Sequence, residues 1–216
     1  GAGKPIFWQA LVMAAGCAYV WSSTVRAQVF TYLYIPLLLL AFVLYQKTGQ
    51  RRLLFLLPPA MMVWANAHGG FAAGLGLLAI WTTGMCLSGW RRGRWPLAAF
   101  AACLAAAAIS PYGPAAYLGY LREALSMPRP GVAEWAPLDL CGAAALVPGV
   151  WTLLLVWGMW LRRRALDWTG MALMGAGLFF AVRHDRLMAI YLMVSFVYGA
   201  ELLHAAKRRH LVYADQ

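Results

Sequence analysis

The sequence predicts an all-α, polytopic transmembrane bundle of about eight membrane segments, and three observations carry that prediction. Hydrophobic residues make up 63% of the 216 and charged residues only 12%, against about 45–50% and about 25% in a soluble domain. The stretches 5–25, 27–46, 53–90, 95–121, 140–161 and 168–182 contain no Asp, Glu, Lys or Arg, and a membrane-spanning helix needs roughly 20 mostly apolar residues. Blocks such as Ile35 to Leu44 run without alternation, whereas strands of a membrane barrel alternate with period 2. Together these exclude a soluble globular enzyme, a disordered chain and a small disulfide scaffold.

The elements follow from the charge-free runs. Spans are expected near 6–21 and 30–45. The run 53–90 is too long for one crossing, and its middle reads Asn66-Ala67-His68-Gly69-Gly70. Such a string is polar and poor for helix, so it marks a sharp turn between spans at 53–65 and 71–89. A span at 96–111 ends at Ser110-Pro111-Tyr112-Gly113-Pro114, a helix stop and turn. Within 112–125, Tyr117, Leu118, Leu121 and Leu125 fall on one face, the pattern of a short helix lying in the interface. Met127-Pro128-Arg129-Pro130-Gly131 ends that helix, and spans at 148–161, 167–182 and 188–205 complete the series. The whole of 1–216 reads as one transmembrane domain, standing alone or as the C-terminal part of a longer protein.

The basic residues supply an orientation. Lys4, Lys47, Arg51, Arg52, Arg91, Arg92, Arg94, Arg162, Arg163, Arg164, Lys207, Arg208 and Arg209 fall in connections at one side, 13 of the 18 Lys and Arg. The positive-inside rule makes that side cytoplasmic and puts both termini inside. These clusters need no function beyond orientation and contact with anionic headgroups. The net charge of +11 thus has a topological cause, and no nucleic-acid partner is implied. Cys17, Cys86 and Cys103 fall within spans and Cys141 outside. No CxxC spacing, HExxH, GxSxG or GxxxxGK[ST] motif is present, so no metal site or nucleotide loop is legible.

The outer face gathers the unusual residues. Asn66 and His68 sit at the 66–70 turn, where a neutral His can bond backbone in a tight turn or take part in binding and proton transfer. Arg183-His184-Asp185-Arg186 punctuates the last external turn. It is either a hydrated loop or an anion clamp, since two guanidinium forks suit phosphate oxygens. Arg26 closes the first external turn. Glu134, Trp135 and Asp139 lie in the longest external connection, which reads as a solvated loop with an interfacial Trp or as part of a site.

Four strings also carry a likeness: Arg26-Ala27-Gln28-Val29-Phe30-Thr31-Tyr32-Leu33, Trp64-Ala65-Asn66-Ala67-His68-Gly69-Gly70-Phe71, Ser110-Pro111-Tyr112-Gly113 and Glu134-Trp135. In order and spacing the chain resembles bacterial multi-pass proteins related to the GT-C type, protein mannosyltransferase-like glycosyltransferases that use polyprenyl-phosphate sugars. The resemblance covers about residues 26–186. It implies sugar transfer from a lipid-phosphate donor at the outer face of the cytoplasmic membrane. Transfer needs a base for the acceptor and cations for the leaving phosphate. Glu134, Asp139 and His68 are the catalytic candidates; Arg26, Arg183, His184 and Arg186 are the lipid-phosphate candidates. Arg26, His68, Glu134, Arg183 and Arg186 are expected to line one outward-facing cleft. A divalent metal is implied by the resemblance alone.

Two departures stand beside the likeness. GT-C enzymes carry an acidic residue in the first external loop, and the turn 22–28 has Arg26 and no acid. Relatives often carry Arg-Asn near the last external turn, where this chain has Arg183-His184. Either a preceding portion of a longer protein holds the acidic loop, or the chain is a non-catalytic subunit or scaffold that binds other membrane subunits and lipids. A transporter would need a charged or broken-helix site at mid-membrane, and only the 66–70 turn offers one.

Overall fold

The computed structural model describes residues 27–111, 113–125, 136–161 and 167–199. Every regular element among them is helical, as the composition predicts. Val25–Arg129 forms one compact unit, and the described residues from 136 onward belong to a second.

In the first unit, α1 (Gln28–Thr48) buries Gln28, Thr31, Ile35, Leu38, Leu39, Phe42 and Tyr45, the three- and four-residue spacing of one helical face. It ends at Gly49 in the left-handed conformation (φ 67°), whose N–H bonds the Tyr45 carbonyl at 2.8 Å; glycine adopts this φ without a Cβ clash. The expected span 53–65 is instead a short turn of helix, α2 (Arg52–Phe55), followed by α3 (Leu57–Ala67). Pro58 and Pro59 explain the break. They lack N–H groups and so fit only the first turn of a helix, where those donors have no helical partner.

The next helix, α4 (Phe71–Leu87), packs most extensively on α5 (Trp90–Ala107), which also packs on α3. The expected start of α5 at 96 moves back to Trp90, so Arg91, Arg92 and Arg94 are helical. Gly89, at φ 133°, sets that start. Pro96 lies inside α5 and cannot donate to the Arg92 carbonyl; the Tyr45 hydroxyl donates to it instead, at 3.2 Å. The freed carbonyl is thereby satisfied, and the end of α1 is tied to the start of α5. At the centre, Phe42 and Trp81, both fully buried, stack with centroids 4.2 Å apart. Such a pair contributes about 0.5–1.5 kcal/mol beyond its buried area.

A short helix, α6 (Gly113–Leu125), forms where the turn-then-helix pattern placed it. Tyr117 of the expected face packs inward, joined by Tyr120. Tyr117 and Tyr120 pack on Phe71, with centroids at 5.8 and 5.4 Å, while Leu118 is 63% exposed. The aromatic rings bring large contact area, and the Tyr120 hydroxyl reaches backbone.

The second unit holds a 3-10 turn (Ala143–Ala145), α7 (Leu146–Leu161), α8 (Trp168–Arg183), a second 3-10 turn (Asp185–Leu187) and α9 (188–199). Asp167 caps α8 by accepting the Thr169 N–H at 3.0 Å, a contribution of about 1 kcal/mol. Buried polar groups tie α7 to α9. Trp151 Nε1 donates to Ser195 Oγ at 2.9 Å, and Thr152 Oγ1 bonds the Tyr191 hydroxyl at 2.7 Å. Ala181, Met188 and Tyr191 form a small core that Leu138, Leu178 and Leu192 cover.

Helices, with shifted ends, occupy the described parts of the seven other expected spans, the one at 53–65 as two pieces; 6–21 and 200–205 lie outside the described residues. Of the described helices, α1 alone is long and apolar enough to cross a membrane. Arg52–Ala67, Phe71–Leu87, Leu146–Leu161 and Trp168–Arg183 are apolar but shorter.

Candidate functional site

In the first unit the chain break between α3 and α4 organises a polar node. The backbone becomes extended at His68 (φ −159°, ψ 140°) and turns through Gly69 and Gly70 into α4. His68 Nδ1 lies 2.8 Å from Thr31 Oγ1 and accepts the Gly70 N–H at 3.0 Å. A backbone N–H can only donate, so Nδ1 is unprotonated. The imidazole is therefore neutral, with its proton on Nε2, and the Thr31 hydroxyl is a second donor to Nδ1. The Tyr120 hydroxyl donates to the Gly69 carbonyl at 2.8 Å. Asn66 Nδ2 donates to the carbonyls of Met62 and Ile109, each at 2.8 Å. The two glycines are required by space: a Cβ on Gly70 would collide with Thr31 Oγ1, and one on Gly69 with the Tyr120 hydroxyl.

This arrangement fastens α1, the start of α4, the end of α5 and α6 to one turn. Chemically, His68 in this tautomer carries its proton on Nε2. Its Nδ1 lone pair is engaged by Gly70 and Thr31, so abstraction of an acceptor proton would first require those bonds to open.

In the second unit, α8 ends at Arg183, and His184 leaves the helix in an extended conformation with its N–H on the Phe180 carbonyl at 2.9 Å. The turn is gripped from the side by residues 136–138. Leu138 N–H donates to the Val182 carbonyl at 3.0 Å, and Asp185 N–H donates to the Ala136 carbonyl at 3.1 Å. Asp139 follows directly, so the fold brings it to the same end as Arg183, His184 and Arg186. Its carboxylate is used locally: Oδ1 accepts the Cys141 N–H at 3.0 Å and closes the 139–142 turn. Arg183 is exposed, and its guanidinium stacks over the Phe179 ring at 4.9 Å. His184, Asp185 and Arg186 are half-buried.

Of the predicted site residues, His68 therefore stands in one unit, and Asp139, Arg183, His184 and Arg186 lie in the other, on two segments that backbone bonds at 136–138 and 182–185 join. Arg26 and Glu134 lie outside the described residues. Among the described residues no three His, Cys, Asp or Glu side chains gather as a metal ligand set.

Sequence reasoning gave Thr31 and Tyr120 no role at the turn, and it placed Tyr117 only on the face of the short helix. A signal existed for the first. Gln28 and Thr31 are polar at a three-residue spacing in an apolar helix, and both are buried on its packed face. Tyr117 shows a different condition: its hydroxyl is buried without a hydrogen-bond partner among the described residues, and burial pushes the phenol above its ordinary value.

Comparison with protein-family models, with curated proteins and with solved structures finds no match to the chain.

Proposed function

We propose that the chain is a multi-pass protein of the bacterial cytoplasmic membrane, with eight segments and both termini inside, that binds a lipid-linked phosphate at its outer face. By its resemblance to GT-C transferases, the ligand is a polyprenyl-phosphate sugar, and the activity is transfer of that sugar. The observation that supports the binding role is the gripped Arg183–Arg186 turn. Backbone bonds to Ala136 and Leu138 hold the corner. The backbone that carries its two guanidinium groups and one imidazole need not be ordered by the ligand, and that lowers the entropic cost of binding. Guanidinium forks match phosphate oxygens. The positive-inside rule assigns this corner to the outer side.

A second reading is a non-catalytic membrane subunit that binds lipid or neighbouring subunits without transfer. The engagement of Asp139 by the Cys141 N–H and of His68 by Gly70 and Thr31 favours it. His68 Nδ1 is occupied by its two donors, and Asp139 commits one of its two carboxylate oxygens to its own turn. Glu134 is the base taken for the proposed transfer, with Asp139 as the alternative.

Titration of the full chain in detergent with polyprenyl phosphate tests the shared part. Arg183→Ala is expected to weaken binding about ten- to hundredfold, the range for loss of a charged hydrogen bond, while Arg163→Ala changes nothing. Equal affinity in the Arg183 variant would refute the site. Incorporation of labelled sugar from the lipid donor, lost in Glu134→Gln with binding retained, separates transferase from subunit.

A further inference from the structure

At the end of the first unit opposite the His68 node, the fold brings two basic connections together. Lys47, Arg51 and Arg52 come from the α1–α2 turn, and Arg91, Arg92 and Arg94 from the start of α5; all six are exposed. The Tyr45–Arg92 hydrogen bond ties the two segments to each other. Arg51 stacks on the Trp95 ring with its guanidinium carbon 4.6 Å from the centroid, and Arg94 approaches the same ring at 5.7 Å. Two residues 43 positions apart in sequence thus converge on one indole. Stacking restrains a guanidinium while leaving its N–H edge available to a phosphate.

The unit's own sequence offers this corner little acid. Between Val25 and Arg129 the sequence holds a single carboxylate, Glu123. It belongs to α6, which the Tyr120–Gly69 bond fastens at the other end of the helices. The rim of the corner is apolar: Phe55, Leu56 and Trp90 are each 66% exposed and Leu87 84%. A soluble polyanion would leave those side chains in water. A headgroup with acyl chains beside it would meet both the cations and the rim.

We infer that the corner formed by residues 47–52 and 87–95 binds the phosphate headgroup of an anionic phospholipid, with Arg51 and Arg94 as paired contacts on Trp95. The inference rests on the membrane reading given above and concerns the cytoplasmic leaflet, whereas Arg183 serves the outer one. The site differs from general surface attraction in having two named guanidinium groups held on a shared ring.

The test uses the full chain in a neutral detergent, with bound lipid read by native mass spectrometry. Phosphatidylglycerol should be retained about tenfold over phosphatidylcholine and should be released by added salt. Arg51→Gln with Arg94→Gln should reduce that preference to near one, and Arg122→Gln, at an exposed arginine outside the corner, should leave it unchanged. Equal retention of the two lipids, or full retention in the double variant, would overturn the inference. Inorganic phosphate that displaces the lipid at equal concentration would overturn the lipid assignment. Should the double variant not fold, two further measurements decide: the salt release of wild-type lipid, and Arg51→Lys with Arg94→Lys, which keeps charge but loses the planar fork and should lie between. Carbonate extraction of cell membranes tests membrane residence separately. A chain that stays in the membrane but shows no lipid preference refutes this inference alone.

Discussion

The His68 node and the Arg183–Arg186 turn both break a pair of apolar helices with polar residues, yet they use those residues in opposite ways. In the node, the polar atoms are spent on the fold. Thr31 is buried, His68 Nδ1 takes a backbone and a side-chain donor, and Tyr120 and Asn66 donate to carbonyls. At the 183–186 turn, backbone bonds hold the corner and the Arg183 side chain is left exposed. A polar group that completes a turn stabilises the fold; one that is positioned by the turn can meet a ligand. Polar composition alone does not separate the two.

The difference makes the node the place where substitutions should cost most stability. Gly70→Ala puts a Cβ into Thr31 Oγ1 and is expected to destabilise by about 1–3 kcal/mol, the range for overpacking. A thermal melt in detergent reads it, and an unchanged melt would show that the turn yields without loss. His68→Ala leaves the Gly70 N–H without its acceptor and should cost about 1–3 kcal/mol. Thr31→Val removes one donor and should cost about 0.5–1.5 kcal/mol. If His68→Ala were neutral in the melt, the node would not be holding the turn.

At the other turn the stability effect should be small. Arg183→Ala changes an exposed side chain, and its melt should stay within about 0.5 kcal/mol of wild type. A large loss there would mean that the Phe179 stacking is structural and would remove the contrast.

Tyr117 provides the smallest and most selective effect. Its buried hydroxyl has no partner among the described residues, so Tyr117→Phe should be neutral or slightly stabilising. Burial raises its pKa in the folded chain. The folded protein then holds a proton that the unfolded chain gives up, so stability falls as pH rises past the unfolded value near 10. The Phe variant should lose part of that alkaline decline. Identical pH profiles would mean that the phenol is not desolvated.

The helices were legible because apolar runs and charge gaps report them directly. Their ends were not. Pro58 and Pro59 divide a run that hydropathy joins, and α5 begins at Trp90 because Gly89 adopts a positive φ that composition does not announce. The polar turns at 66–70 and 183–186 were visible as interruptions. Whether each one closes on itself was not, because that depends on tertiary partners such as Thr31, 37 residues from His68, and Leu138, which bonds Val182. Likewise, the Arg clusters were visible as charge, while the convergence of Arg51 and Arg94 on Trp95 needed the packing of α5 beside α2.

The most direct test is a side-by-side titration of polyprenyl phosphate into the wild type, Arg183→Ala and Thr31→Val. Weakening of about ten- to hundredfold in the Arg183 variant, with the Thr31 variant close to wild type, is the predicted result. Wild-type affinity in Arg183→Ala together with a loss of binding in a folded Thr31→Val would contradict it and move the ligand to the His68 node.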